Sequence, residues 1–234
     1  KVHFQKKYVF LKKKAMKNLF AFLFLALFSV TLFAQEEDID VSGSFGKQDR
    51  LMLDLYNDIW QGAPDTIDFK GYNPGASVSL MQDFPFGSTN FSFAVGLGVG
   101  THNMNFNANI MKDSLGVNYF VNRADNPKKL KLVTSYIDVP VELRFRTKSD
   151  NVFRIAVGGK IGYEINNHLK FVDVGIKTKS FNVGDINKLR YGITARVGYK
   201  MFNVFVYYGL STLFEEKLGP EMAPLSIGIS LIPF

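Results

Sequence analysis

Cysteine is absent from the 234 residues. That excludes disulfides, thiolate metal sites and a lipid anchor carried on a cysteine. After residue 34 no segment has the length and apolarity of a membrane-spanning helix. If the remainder enters a bilayer, it must do so as a closed barrel, because strands satisfy their backbone groups there only when the sheet has no edge. Surplus charge is missing as well. The formal net charge is +7, but residues 1–34 hold seven lysines and no acidic residue, which leaves 21 basic and 21 acidic side chains over 35–234. A nucleic-acid footprint needs a basic folded domain. The balance after residue 34 is neutral, so nucleic acid is not an expected partner.

What is present at the N-terminus reads as a targeting segment. Lys12, Lys13, Lys14 and Lys17 form a positive region, and residues 19–34 form an apolar run ending at Ala34. The run is short for a spanning helix, and Glu36, Glu37 and Asp38 follow it at once. The expectation is a leader and signal peptide over 1–34 with translation starting at Met16. A flexible lead-in over 35–48 and a barrel over 49–234 follow.

The stretch 152–165, VFRIAVGGKIGYEI, has an apolar set at Phe153, Ile155, Val157, Ile161, Tyr163 and Ile165. Small or charged residues alternate with it: Arg154, Ala156, Gly158, Lys160, Gly162 and Glu164. A period of two marks a strand. At a tilt near 40° a strand of this length rises about 35 Å, enough to cross a bilayer.

Similar signals occur at 50–56, 75–82, 91–101, 136–146, 189–199, 204–212 and 224–234. The frame of 204–212 is ambiguous because both of its faces are apolar. Pro140 within 136–146 is expected to mark an edge or a bulge. Residues 169–177 are expected to lengthen the strands into a hairpin beyond the barrel. The connections alternate long, short, long, short, long, short, long. Transmembrane barrels show this asymmetry, with short periplasmic turns and long outer loops. The fold class is therefore all-β: an eight-stranded antiparallel up-and-down transmembrane β-barrel after a signal peptide, multi-pass in the outer membrane of a Gram-negative cell. A soluble ligand-binding barrel, with its apolar face turned inward, is the rival architecture.

Alternation assigns Phe93, Val95, Leu97, Leu143, Phe153, Ile155, Val157, Ile161, Tyr163, Ile193 and Val197 to lipid. It assigns Asp54, Asp138, Glu142, Arg144, Arg154, Lys160, Glu164, Arg190 and Arg196 to the lumen. Eight strands leave an interior just wide enough for side chains. Charges of both signs there are expected to pair and plug it, since a buried charge must be matched.

The segment Tyr136-Ile137-Asp138-Val139-Pro140-Val141-Glu142-Leu143 resembles the Tyr-Leu-Glu-Ile-Pro-Leu-Leu-Leu segment of the PorT-type outer-membrane β-barrel family. The layout of 16–234 is similar to that family and to small barrels of the OmpX and OmpA kind. Phe234 resembles their terminal aromatic, although Pro233 puts it out of frame with Leu225, Ile227, Ile229 and Leu231. The resemblance implies insertion by the barrel-assembly machinery, contact with outer-membrane lipid, and no enzymatic activity or cofactor. It also implies, for some members, assembly of a type IX protein secretion or transport complex.

Three weaker signals remain. His102 and His168 follow two of the strands at the outer end. A lipid-modifying enzyme at the outer rim would need a carboxylate and a nucleophile beside one of them. Asp113, Ser114 and Asp173 are the nearby loop candidates, and solvated loop histidines are the plainer expectation. Asp65-Thr66-Ile67 and Asp113-Ser114-Leu115 resemble a three-residue O-glycosylation acceptor pattern in outer loops. The glycines at 96, 98, 100, 158 and 159 lack the strand–loop–helix setting of a phosphate loop and suit a crowded barrel wall.

Overall fold

The computed structural model describes residues 51–232 apart from 66, 68, 126, 149, 150 and 175. The leader, the lead-in and Phe234 lie outside the described residues. Among the described residues there are eleven strands: β1 (Leu51–Gln61), β2 (Pro74–Pro85), β3 (Phe91–Asn105), β4 (Ala108–Lys112), β5 (Asn118–Asn122), β6 (Lys129–Arg146), β7 (Phe153–Asp173), β8 (Ile176–Phe181), β9 (Leu189–Tyr199), β10 (Phe202–Gly209) and β11 (Ala223–Leu231). Eight of them form an antiparallel ring in chain order, β1-β2-β3-β6-β7-β9-β10-β11, and β11 pairs back onto β1. Each ring strand thus has two hydrogen-bonded neighbours. The remaining three build on the long connections: β4 and β5 pair as a hairpin, and β8 pairs only with β7.

The strands alternate in exposure with a period of two, as in β9, where every second residue is buried up to Arg196. Leu80, Leu97, Leu143, Val157, Ile161, Ile193, Val197 and Val204 are exposed on the outside of the ring. Exposed aromatics bound this apolar band at both ends. Phe84, Phe91, Phe153, Tyr199 and Phe202 lie near the short turns, and Tyr163, Tyr191 and Tyr208 lie toward the long connections. Such paired girdles accompany the two interfaces of a bilayer. Phe93 and Val95 are half-buried on the same face.

Four local expectations change or are resolved. Pro140 sits in a central strand, paired with Lys160. Its cost is local: the β3–β6 ladder pairs Val95 with Val141 and then resumes at Gly98 with Asp138. A proline has no N–H to give the neighbour. The ambiguous strand resolves with Asn203, Phe205 and Tyr207 inward and Phe202, Val204 and Tyr208 outward. The long connection after β3 is not a plain loop, since it carries the β4–β5 hairpin. The extension beyond the barrel is larger than expected as well: β7 runs to Asp173 and β8 to Phe181.

Candidate functional site

The interior is layered. At the short-turn end Met52, Met81, Ala94 and Ile232 pack together. Above them lies an ion-pair network. Arg144 donates from Nε to Glu142 Oε2 at 2.9 Å and from Nη1 to Asp83 Oδ1 at 2.7 Å. Arg196 donates to Glu142 Oε1 and, at 2.9 Å, to Asp54 Oδ2. The Ser77 hydroxyl donates to that same Asp54 oxygen at 2.9 Å. The Arg196 guanidinium also lies over the Phe205 ring at 4.5 Å.

Higher in the ring Asp138 is gripped by Arg190. Nη2 donates at 2.9 and 2.7 Å to the two carboxylate oxygens, and Nε donates at 3.2 Å. Lys160 Nζ lies 3.7 Å from Asp138 and 4.5 Å from the Tyr207 ring centre. Gly100 and Gly162 make the room. A Cβ on Gly162 would stand 2.3 Å from Asp138 Oδ1 and 2.8 Å from Arg190 Nε. Only a residue without a side chain fits against that pair.

The upper layer joins His102, Asp58 and three tyrosines. His102 Nδ1 lies 2.9 Å from each oxygen of Asp58, and Ser226 Oγ donates to Asp58 at 2.6 Å. The His102 ring packs within 5.2 Å of Tyr56 and 6.0 Å of Tyr207, centre to centre. Its Nε2 is buried without a protein hydrogen-bond partner. His102 lines a narrow cavity together with Trp60, Thr134, Tyr136, Arg190 and Ser211, with room for little more than a water molecule. Ser226 and His102 share one carboxylate. A serine nucleophile would instead have to face the free Nε2, and this arrangement does not provide that.

The top is closed by a second core made by the long connections. Phe106, Leu130, Leu132, Ile186, Phe214 and Met222 are buried together, with Phe69 and Phe120 packed against them. Phe106 and Phe120 meet edge to face at 5.6 Å, and Phe120 and Phe214 at 6.1 Å. Polar ties cross between connections. Asn118 Nδ2 donates to Asp185 Oδ2 at 2.8 Å, and Lys112 pairs with the same carboxylate at 2.6 Å. Those two contacts hold the Asp185 carboxyl below its ordinary range.

Of the nine charges assigned to the lumen, Asp54, Asp138, Glu142, Arg144, Arg154, Lys160, Arg190 and Arg196 are buried. Glu164 is only half-buried, at the upper rim, where it accepts a hydrogen bond from Asn167 at 3.4 Å. Asp58 and Asp83 were missed. Both continue the buried frame of their strands, β1 and β2, one step past the ends that the turn residues suggested. With them, five buried carboxylates face five buried cations. His102 is not a loop residue. It lies inside β3 at 2% exposure, and its partner is Asp58 rather than Asp113, Ser114 or Asp173. His168 lies in β7 against Phe181 at 5.5 Å. Ser114 sits exposed at the β4–β5 turn, where Asp113 Oδ1 accepts from the Leu115 and Val117 amides. Thr66 is outside the described residues. The aromatic density of the long connections was the available signal for the upper core.

No curated protein and no solved structure matches the chain. A family model does, the outer membrane protein beta-barrel domain, over residues 33–215. With most of its length matched, and with an eight-stranded ring that is apolar outside and charged within, the chain belongs to the outer membrane protein beta-barrel family.

Proposed function

We propose that this protein is a PorT-type integral outer-membrane barrel with a plugged lumen, and that it acts without catalysis, structurally or through partner contacts of its outer connections. The carrying observation is the filled interior: ten buried charges, five of each sign, beneath an aromatic cap. An eight-stranded barrel has little spare bore, and paired charges held by hydrogen bonds are costly to displace. Phe153, Ile155, Val157 and Ile161 face lipid in this reading, and the barrel-assembly machinery inserts the chain. The test is conductance of the refolded chain in a planar bilayer. Steady ion-conducting steps would defeat the plugged-lumen reading.

The second reading is an accessory role in type IX protein secretion. The packed cap favours it, because four long connections that share one core offer a preformed surface to a partner. Co-purification with a secretion translocon tests it. The third, a lipid-modifying enzyme, is disfavoured by the shared use of Asp58. His102→Ala should leave the outer-leaflet lipid profile unchanged, and an altered profile would restore the enzyme.

A further inference from the structure

Charge on the outer wall is uneven where the strands rise above the apolar band. In the ladder of β6, β7 and β8, Lys131 pairs with Lys170, and Lys170 pairs with Lys179. Directly opposite residues of an antiparallel pair share a face and lie about 5 Å apart at Cα. One step further, Lys129 pairs with Val172, and Val172 with Lys177. Five lysines therefore occupy two neighbouring rungs of one face. The reverse face carries Leu130, Leu132, Leu169 and Phe171, which pack on or against the cap core.

Like charges set opposite each other destabilise a sheet, and here they lack an answer. Among the described residues none of the five makes an ion pair, and Lys131 donates only to the Asn103 amide oxygen. Asp173 falls on the reverse face by register, and Asp125 is held by Arg123. Desolvation, and then the neighbouring lysines, lower the pKa of both Lys131 and Lys170. Edge protection accounts for lysines on the unpaired side of a sheet, which covers Lys177 and Lys179 on β8. It does not cover Lys131, which lies between Asn105 and Lys170, or Lys170, which lies between Lys131 and Lys179.

Position identifies the occupant. On β7 the outward series runs Ile161, Tyr163, Ile165 and then, past a register shift, His168 and Lys170. From the Tyr163 girdle to Lys170 a tilted strand climbs about 15 Å. Lysine stems reach back toward the interface. We infer that this lysine face binds the phosphate groups on the sugar headgroups of outer-leaflet glycolipid, which neutralise it. The inference rests on the outer-membrane reading, with the long connections outside.

The test uses the full mature chain in phosphatidylcholine vesicles doped with rough lipopolysaccharide that keeps its phosphorylated inner core. A second set carries the same lipid after phosphatase treatment. Retained glycolipid per barrel is measured for wild type, for Lys170→Gln and for Lys131→Gln/Lys170→Gln/Lys179→Gln. Lys148→Gln/Lys200→Gln, at the short-turn end, is the control. Expected is at least tenfold stronger retention of the phosphorylated lipid by wild type and by the control. The single variant should weaken it and the triple variant should lose it. Equal retention of both lipids, an unaffected triple variant, or an equal loss in the control would overturn the inference. So would complete displacement by soluble polyphosphate with no preference for the lipid. Unboiled gel mobility separates the causes. A barrel that fails to insert removes the membrane reading together with this one, whereas an inserted barrel without phosphate preference removes this one alone.

Discussion

Replacing Asp138 by Asn should be among the most damaging single changes in the wall. Asp138 is 1% exposed and accepts three hydrogen bonds from Arg190, with Lys160 on its far side. The amide keeps the shape and removes the anion, so two buried cations lose their nearest counter-charge. Removing one member of a buried pair costs about 3–5 kcal/mol, or roughly two to three and a half powers of ten in the folding equilibrium. With a urea dependence of about 2 kcal/mol/M, the unfolding midpoint falls by roughly 2 M. Asp138→Asn/Arg190→Met removes one charge of each sign and should cost less than the two single changes together, by about 2–3 kcal/mol. Trp60 is the only tryptophan and sits at the upper rim, with Nε1 donating to the Asn103 carbonyl at 3.2 Å. Its fluorescence, read beside unboiled gel mobility, follows unfolding from lipid vesicles. A loss below about 1 kcal/mol for the single change, or plain additivity in the double, would refute the idea that this pair holds the lumen as a unit.

Other consequences can be read on the same material. Val157→Arg places a charge on an outward position that is 59% exposed, and should cost about 2–4 kcal/mol near mid-bilayer. Lys160→Ala leaves Asp138 held by Arg190 and should impair insertion less; equal folded fractions on gels would contradict the outward assignment. Gly162→Ala drives a Cβ into the Asp138–Arg190 pair and should cost about 1–3 kcal/mol. Gly71→Ala meets nothing within 4 Å and should be silent in the same urea titration. The cap should loosen in acid. The folded Asp185 pKa is depressed by Lys112 and Asn118, so its contribution is present above the unfolded carboxylate value of about 3.9 and disappears as pH falls through the lower folded value. Amide exchange in β4–β5 should rise over that window in wild type and be high throughout in Asp185→Asn; a wild-type cap indifferent to acid would contradict the argument.

The ring was legible because each wall strand has one buried and one exposed face, and a period of two survives in the residues themselves. Where a lumen-facing strand is apolar on both sides, as at Phe205 and Tyr207, the period vanishes and only the neighbours fix the frame. The charges at 54, 138, 142, 144, 154, 160, 190 and 196 stand out against that alternation, and the structure buries all of them. Asp58 and Asp83 were lost because turn residues beside them, Asn57 and Pro85, shortened the strands. The cap was legible only as aromatic density in the long connections, not as an arrangement. Phe69, Phe106, Phe120 and Phe214 come from three connections, Phe106 and Phe120 sharing one, with no common period, and their meeting is a tertiary fact.

The lysine face shows how one residue can hide a surface. Below residue 164 the even positions of β7 point inward, as Arg154 and Lys160 do. Continued unbroken, that frame would send His168 and Lys170 inward and Leu169 and Phe171 outward. The ladder instead passes from Tyr136–Glu164 to Ser135–Asn166, so β7 carries an extra residue there. A one-residue slip reverses every side chain that follows. Leu169 and Phe171 now turn to the cap, and Lys170 turns out beside Lys131 and Lys179. The bulge therefore serves both faces at once: it completes the apolar core that closes the barrel, and it assembles the cations on the wall outside. A stretch, 35–234, whose charges balance in sequence becomes strongly basic at one place because of where a single residue is inserted.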